Sequence, residues 1–147
     1  PRMATVQNEY SLLCRQFDTD WAELSVIEDM PLLAFSPLAT GLLSGKYAGD
    51  VIPDGSRRSL NPDLSGRITA RVFPAVAAYL GVAARHGLDP CQMAIAFCLT
   101  RPFTTIPIIG ATTLDQLRTN IGAAGITLSS EVLEDIAETH RAHPRPY

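Results

Sequence analysis

Two continuous apolar runs of strand length constrain the fold of this chain more than any other feature. They are Leu32–Phe35 and residues 104–109. Neither shows the apolar–polar alternation of a strand with one solvated face, so both predict strands that are buried on both faces of a parallel sheet. Helix-like sequence separates the two runs. Buried strands that alternate with helices indicate parallel βαβ units with right-handed connections.

The rest of the chain supplies the elements that such units require. A short strand is predicted over residues 4–7, followed by a helix over 18–29 that Asp18 or Thr19 caps. Further helices are predicted over residues 70–86, 91–100, 113–122 and 130–141. The expected N-caps of the last three are Asp89, Thr112 and Ser129.

Residues 36–68 show no sustained hydrophobic period and are rich in glycine and proline. They predict a loop of about thirty residues, which is far longer than the usual connection in a compact domain. Loops of this length are usually functional or disordered. This loop also holds Lys46, the only lysine of the chain.

Composition excludes several classes of protein. The chain has 147 residues, 46% of them hydrophobic, which is enough to bury a core and excludes a disordered chain. A net charge of −3 gives no basic surface for nucleic acid or anionic membranes, and no apolar run approaches the roughly 18 residues of a membrane span. We therefore expect neither a nucleic-acid nor a membrane partner.

Cysteine and histidine spacing narrows the expected chemistry further. Cys14, Cys91 and Cys98 are an odd number, lie far apart and are set among apolar residues. They predict reduced core thiols in a cytoplasmic protein rather than a disulfide framework. The histidines lack metal-ligand spacing with these cysteines, so no metal site is expected.

Ligands of parallel α/β folds bind beyond the carboxyl ends of the strands, which directs attention to two turns. Gly110 to Thr112 leads into a helix N-terminus that could bind an anion, although an ordinary capped turn has the same sequence pattern. The glycine- and serine-rich stretch from Ser36 to Lys46 could approach a phosphate closely, or could be a solvated loop. Its spacing is not that of a P-loop.

Three collinear motifs resemble the C-terminal part of the aldo-keto reductases. They are QNEYSLL at 7–13, AFSPLATG at 34–41 with SGKY at 44–47, and IIGATTLDQLRTN at 108–120. The resemblance is closest to the branch that holds potassium-channel beta subunits and related bacterial reductases. It implies an α/β fold that is the C-terminal portion of a (β/α)8 TIM barrel, with strands six to eight present and the barrel incomplete. Residues 1–147 would be the cofactor-binding part, with 36–68 as a loop that covers the cofactor.

The same resemblance implies an NADP(H) site. Gln7 matches the residue that holds the nicotinamide carboxamide, and Phe35 matches the aromatic side chain that stacks on the nicotinamide ring. The expected contacts along the pyrophosphate are Ser36, Leu38, Gly41, Ser44 and Lys46. The expected contacts at the adenosine end are Arg57, Gly110, Thr112, Gln116 and Asn120.

Three positions depart from the family pattern. Gly110 and Gln116 stand where some branches carry a lysine and an arginine, and Thr119 replaces an acidic residue that often contacts adenine. The 2′-phosphate would then rest on Arg57, Thr112 and backbone amides.

The family reduces small-molecule carbonyl compounds by hydride transfer, and its Asp, Tyr, Lys and His tetrad comes from the first half of the barrel. The resemblance therefore implies a truncated chain, opening at Pro1, that binds cofactor and is inactive alone. The alternative is a non-catalytic nucleotide-binding or partner-binding module like a channel beta subunit. Three strands leave open sheet edges, so we also expect self-association.

Overall fold

The computed structural model describes residues 2–147, which contain a three-stranded parallel sheet. The strands are β1 (Val6–Glu9), β2 (Leu32–Phe35) and β3 (Thr105–Ile108), with β2 in the centre. Leu32 pairs with Val6 and Thr105, and Phe35 pairs with Glu9 and Ile108. The predicted α/β class with a parallel sheet is confirmed. The prediction of β1 over residues 4–7 is two residues too early at both ends, because pairing with β2 runs from Val6 to Glu9.

Residues 2–147 contain six α-helices, of which five occur in the predicted order and one short helix was not predicted. They are α1 (Asp20–Ile27), α2 (Arg57–Leu60), α3 (Val72–Arg85), α4 (Pro90–Leu99), α5 (Leu114–Gly122) and α6 (Ser130–Ala142). Helices α3 and α4 both lie in the connection between β2 and β3. The predicted long helices are therefore present, with ends that shift by a few residues.

Side-chain caps explain where two of these helices begin. Asp89 accepts a hydrogen bond from the Gln92 amide and Ser129 accepts one from the Val132 amide, as predicted. At α1 the prediction of a side-chain cap is wrong. Thr19 stands at the N-cap without a capping bond, and the Asp18 carboxylate instead accepts hydrogen bonds from the Tyr10 hydroxyl (2.5 Å) and Arg15 Nε (2.7 Å).

The predicted cap of α5 is displaced by one residue. Thr113, in an extended conformation, accepts the hydrogen bond from the Gln116 amide at 3.2 Å. Thr112 lies outside the helix, and its amide and hydroxyl donate to Gln116 Oε1 at 2.9 and 3.0 Å. Thr112 and Thr113 both carry a hydroxyl group that could cap α5, and the backbone angles decide which of the two does so.

The two faces of the sheet are in different environments. Side chains alternate along strands, so Leu32 and Ala34 share one face, which we call the covered face, with their register partners on β1 and β3. Both are fully buried. The other face, called the open face, carries Gln7, Glu9, Leu33, Phe35, Ile106 and Ile108. There, Ile106 is 48% exposed and Ile108 is 44% exposed. The prediction of strands buried on both faces is therefore wrong for the open face in residues 2–147.

Helices α3, α4 and α6 form the layer that buries the core. Helix α4 packs against β3 and α3, and α3 also packs against α6. Residues 93–98 of α4 are all buried, as its apolar sequence predicts. Aromatic rings join the strand end to this layer, with Tyr10 stacked on Phe97 and edge-on to Phe103. In contrast, α1 leaves Trp21, Leu24, Val26 and Ile27 exposed.

Residues 36–68 form more structure than the predicted loop. They contain two short 3-10 segments, Ala39–Ser44 and Ala48–Asp50, as well as α2. Arg58 organises this segment from within, because it is 4% exposed, pairs with Asp50 and donates to the carbonyls of Val51 and Pro62. Its guanidinium also lies over the rings of Tyr47 and Phe73. The contacts of the buried Arg58 therefore order residues 36–68, which have no hydrophobic period.

The three cysteines are free thiols, with Cys98 buried and Cys14 and Cys91 half-buried. Within residues 2–147, no helix combines the length and apolar character needed to cross a bilayer.

Candidate functional site

The carboxyl ends of the three strands meet at one edge of the sheet, which we call the carboxyl edge. It consists of Glu9, Phe35 and Ile108, which lie side by side in register, and the turns that follow them. Gln7 is exposed on the open face, and the half-buried Phe35 ring shares that face. The structure therefore brings Gln7, Phe35, Ser36 and Gly110 to one edge, although they are up to 103 positions apart in the sequence.

The turn after β2 has an unusual backbone. Positive φ angles occur at Ser36 (55°), Ala39 (47°), Thr40 (57°) and Gly41 (97°). Three of these residues carry a Cβ, for which this conformation is disfavoured. Short bonds hold the turn, with the Ala39 amide donating to the Ser36 carbonyl at 2.8 Å. Strain of this kind persists only where the surroundings enforce it, and it concentrates at ligand sites.

Gly41 is the point of closest approach in this turn. A Cβ at this position would lie 2.9 Å from Lys46 Cε, and its φ of 97° already favours glycine. Ser44 closes the turn by donating from its hydroxyl to the Gly41 carbonyl at 2.7 Å. The Lys46 chain therefore crosses the turn directly, and its exposed ammonium stands 5.1 Å from the centre of the Tyr47 ring. A cation held over a compact backbone turn is suited to an anionic group.

Side chains of α5 hold the turn after β3 at two points. The Gln116 amide oxygen accepts both bonds from Thr112, and the buried Asn120 donates to the Gly110 carbonyl at 3.4 Å. Four of the five residues predicted for this end of the site thus form two bonded pairs, Thr112 with Gln116 and Gly110 with Asn120. Asn120 acts from beneath the turn, whereas the backbone of residues 110–113 is exposed at the carboxyl edge.

The adjacent residues Arg57 and Arg58 have different roles. Arg58 is buried and holds the segment, whereas Arg57 begins α2 with an exposed side chain. No side-chain hydrogen bond or ion pair uses Arg57 within the described residues 2–147. Arg57 is therefore the one of the pair with a guanidinium available to an anion, but the structure does not bring it into contact with the other predicted site residues.

Sequence reasoning missed one cluster at this edge. Glu9, Arg67 and Tyr147 meet there in an ion pair and a tyrosine hydrogen bond. The C-terminal residues carry no periodic pattern, and the only available signal was a lone tyrosine after two prolines. The pairing spans 138 positions, which local patterns cannot reveal.

Protonation states limit the chemistry that this part of the chain can perform. Burial raises the pKa of all three thiols, so they are protonated at neutral pH and are not activated nucleophiles. Burial also raises the pKa of Tyr10 and Tyr147, and a neighbouring carboxylate adds to each shift. Residues 2–147 contain no group of three or more His, Cys, Asp or Glu side chains that could hold a metal ion.

Several curated proteins are similar to this chain over most of its length. It is 44% identical over 146 residues to the protein tas of Escherichia coli, and 33% identical over 123 residues to an uncharacterized oxidoreductase of Mycobacterium bovis. It is 31% identical over 145 residues to a probable voltage-gated potassium channel subunit beta of Arabidopsis thaliana. These alignments use 99%, 84% and 95% of this chain but only 42%, 38% and 44% of the relatives. The chain thus spans about two fifths of the length of the relatives it matches.

A solved structure is similar to this chain in fold. The glycerol dehydrogenase AKR11B4 from Gluconobacter oxydans superposes with a TM-score of 0.76 at 22% sequence identity. The match covers 97% of this chain and 43% of that protein. The family model for the aldo/keto reductase family matches residues 1–141. With the three sequence motifs standing together at the carboxyl edge, these matches show that the chain belongs to the aldo/keto reductase family.

Proposed function

We propose that this chain is the cofactor-binding part of an NADP(H)-dependent oxidoreductase that reduces a small carbonyl compound to an alcohol. The observation that most supports this proposal is the arrangement at the carboxyl edge. There, Gln7 and Phe35 lie on the open face beside the strained turn that contains Gly41. The three strands correspond in this proposal to one sector of a (β/α)8 barrel. The open face would then look toward the barrel interior.

The residues at the edge fit an extended dinucleotide. Phe35 offers a half-exposed aromatic face for stacking, and Gln7 offers an exposed amide two positions before the end of β1. The compact backbone at Gly41, with Lys46 above it, suits a pyrophosphate. Arg57 supplies an exposed positive charge for a 2′-phosphate, and Thr112, whose amide and hydroxyl bond to Gln116, lies in the exposed turn of residues 110–113.

The roles of these side chains are to bind and orient. When bound, a nicotinamide cofactor supplies the hydride for the reduction. Phe35 would fix the plane of the ring and Gln7 its rotation, which together set the face presented to substrate. We assign no proton donor within this chain, because Tyr10 is buried, Tyr147 is partly buried, and both are bonded to carboxylates. Proton transfer is therefore expected from residues outside it.

Titration of NADPH fluorescence against the chain tests the proposal. We expect saturable binding that weakens about tenfold in Phe35→Ala, since aromatic stacking contributes roughly 1 kcal/mol or more. Lys46→Met should weaken binding by about tenfold or more through loss of a charged hydrogen bond. NADH, run in parallel, reports the contribution of the 2′-phosphate, and Arg57→Met should reduce the difference between the two cofactors.

Arg118→Met is the matched control, because Arg118 is an exposed arginine on α5 that pairs only with the neighbouring Asp115. It should bind NADPH like the parent chain. Equal affinity of Phe35→Ala and the parent chain would contradict the proposed ring position. Absence of NADPH binding at millimolar concentration would show that these residues do not suffice for the site.

A second candidate function is cofactor binding without turnover, as part of a regulatory or partner-binding module. It is favoured by the 31% identity to the Arabidopsis potassium channel beta subunit. The two functions share the same NADPH site and differ in catalysis. Carbonyl reduction by the longer protein that contains this chain distinguishes them.

A further inference from the structure

Three side chains that are far apart in sequence meet at the carboxyl end of β1. The Arg67 guanidinium binds both oxygens of the Glu9 carboxylate, with Nε at 2.9 Å from Oε1 and Nη2 at 2.7 Å from Oε2. The Tyr147 hydroxyl donates to the same Oε1 at 3.1 Å. Glu9 thus accepts from the end of segment 36–68 on one side and from the C-terminal residues on the other. We call Glu9, Arg67 and Tyr147 the edge clasp.

Each partner in the edge clasp is held by further contacts. Arg67 Nη1 donates to the carbonyl of the buried Leu64 at 2.8 Å, and its guanidinium lies 5.7 Å from the Tyr147 ring centre. Thr69 donates from its hydroxyl to the Pro146 carbonyl. The end of segment 36–68 and the C-terminal residues are therefore bonded to each other as well as to Glu9.

The environment makes this ion pair stronger than an ordinary surface pair. The side chains of Arg67 and Glu9 are only 14% and 16% exposed, so solvent screens them weakly. Two parallel N–H···O bonds fix the angle of the guanidinium as well as its distance. Burial and the Glu9 charge raise the pKa of Tyr147, so its hydroxyl keeps its proton and donates throughout the neutral range.

The position of the edge clasp connects it to the candidate site. Glu9 is the register partner of Phe35, after which segment 36–68 begins. Arg67, at the other end of the segment, binds the Glu9 side chain. One residue of β1 therefore holds both ends of the segment, its start through the strand ladder and its end through the carboxylate.

We propose that Glu9, Arg67 and Tyr147 are positioning residues that close segment 36–68 and the C-terminal residues together over the carboxyl edge. This role deepens the proposed function, because the segment carries Lys46 and Arg57. Fixing both of its ends at one residue sets where these cations lie relative to Phe35. The C-terminal residues share the anchor, so the two regions open and close as one unit.

Hydrogen exchange followed by mass spectrometry tests the closure without any cofactor. Arg67→Met should raise exchange about tenfold or more both in residues 57–71 and in residues 141–147, since it removes a charge-assisted bidentate pair. Tyr147→Phe removes only one hydroxyl and should raise exchange mainly in the C-terminal residues. The charge-swapped double variant Glu9→Arg/Arg67→Glu should restore much of the protection in both regions.

Arg85→Met is the matched control. Arg85 also forms an arginine–carboxylate pair between distant segments, at 2.8 Å from Asp135, but its side chain is 59% exposed. This variant should leave both regions protected. Should Arg67→Met unfold the whole chain, Tyr147→Phe still reports on the shared anchor. Unchanged exchange of residues 141–147 in both the Arg67→Met and the Tyr147→Phe variants would overturn the proposal.

NADPH affinity separates this proposal from the function on which it rests. We expect Arg67→Met to weaken NADPH binding about tenfold, with the charge-swapped variant recovering most of the loss. If Arg67→Met opens both regions yet binds NADPH as tightly as the parent chain, the positioning role is wrong while the proposed function stands. If the parent chain binds no NADPH but the exchange results hold, the proposed function fails while the closure itself remains.

Discussion

The covered and open faces of the same three strands differ sharply in burial. Leu32 and Ala34 are fully buried under the helical layer, whereas Ile106 and Ile108 on the open face remain nearly half exposed. β2 is nevertheless apolar on both faces, and the open face of β3 carries two isoleucines, which is why these two strand sequences read as buried throughout. The difference teaches that the composition of a strand does not by itself tell which of its faces is covered within residues 2–147.

The largest difference between the faces should appear in stability. Leu32→Ala should lower the free energy of unfolding by about 2–5 kcal/mol, because it leaves a cavity in the packed layer. Ile106→Ala should lower it by less than about 1 kcal/mol, because that side chain already contacts solvent. Urea unfolding followed by circular dichroism measures both. Equal losses would show that the open face is buried in solution.

Alkaline pH should lower the stability of the chain, and two groups of the helical layer, Tyr79 on α3 and Cys98 on α4, contribute to this. Burial raises the pKa of Cys98 from 9.0 to about 12 and that of Tyr79 to about 12. Above pH 9 the unfolded chain loses protons that the folded chain retains, so the free energy of unfolding falls. The maximum loss is about 1.4 kcal/mol for each pH unit and each group.

Urea midpoints between pH 7.5 and 10.5 measure this loss. Cys98→Ala should make the decline with pH less steep, because it removes one of the titrating groups. An unchanged midpoint over this range would contradict the assigned burial of these groups.

The open face should also drive self-association. Ile106→Lys places a charge in the apolar face and should shift the association equilibrium toward monomer by about tenfold, as measured by sedimentation velocity. Leu60→Lys is the control, because Leu60 is 87% exposed on α2, away from the sheet. A parent chain that stays monomeric at high concentration would contradict the expectation.

The smallest expected change in stability concerns the turn after β3, which lies at the carboxyl edge. Thr113→Ala should cost about 1 kcal/mol of stability through loss of the α5 cap. Thr112→Ala should cost less, because Thr112 bonds only to the Gln116 side chain at an exposed turn. Thermal unfolding of the two variants side by side measures the difference, and the reverse order would restore Thr112 as the cap.

The sequence predicted the elements that depend on local chemistry. The bounds of β2 and the caps at Asp89 and Ser129 follow from an apolar run and from hydroxyl or carboxylate groups placed before helices. The bounds of β1 depend on pairing with β2, since Gln7 to Glu9 are polar and show no strand pattern of their own. Strand pairing is a tertiary property and overrides local preference.

Some residues of the candidate site were likewise predicted from the sequence, and others were not. The motifs predicted which residues would stand at the carboxyl edge, because parallel strands bring the residues after their ends together. They did not predict Arg58 within segment 36–68 or Tyr147 in the C-terminal residues. Both make their contacts through long side chains whose partners are fixed only after the backbone has folded.

The closed ends of segment 36–68 have a consequence for its length. Because Glu9 holds both ends of the segment, its start through the pairing with Phe35 and its end through Arg67, residues can be added to its middle without moving either end. Gly55 lies there, exposed and with open space around it. Each doubling of a flexible loop costs only about 0.6 kcal/mol in closure entropy. An insertion at Gly55 should therefore be tolerated, which makes this segment a natural place for size variation in proteins built on this sheet.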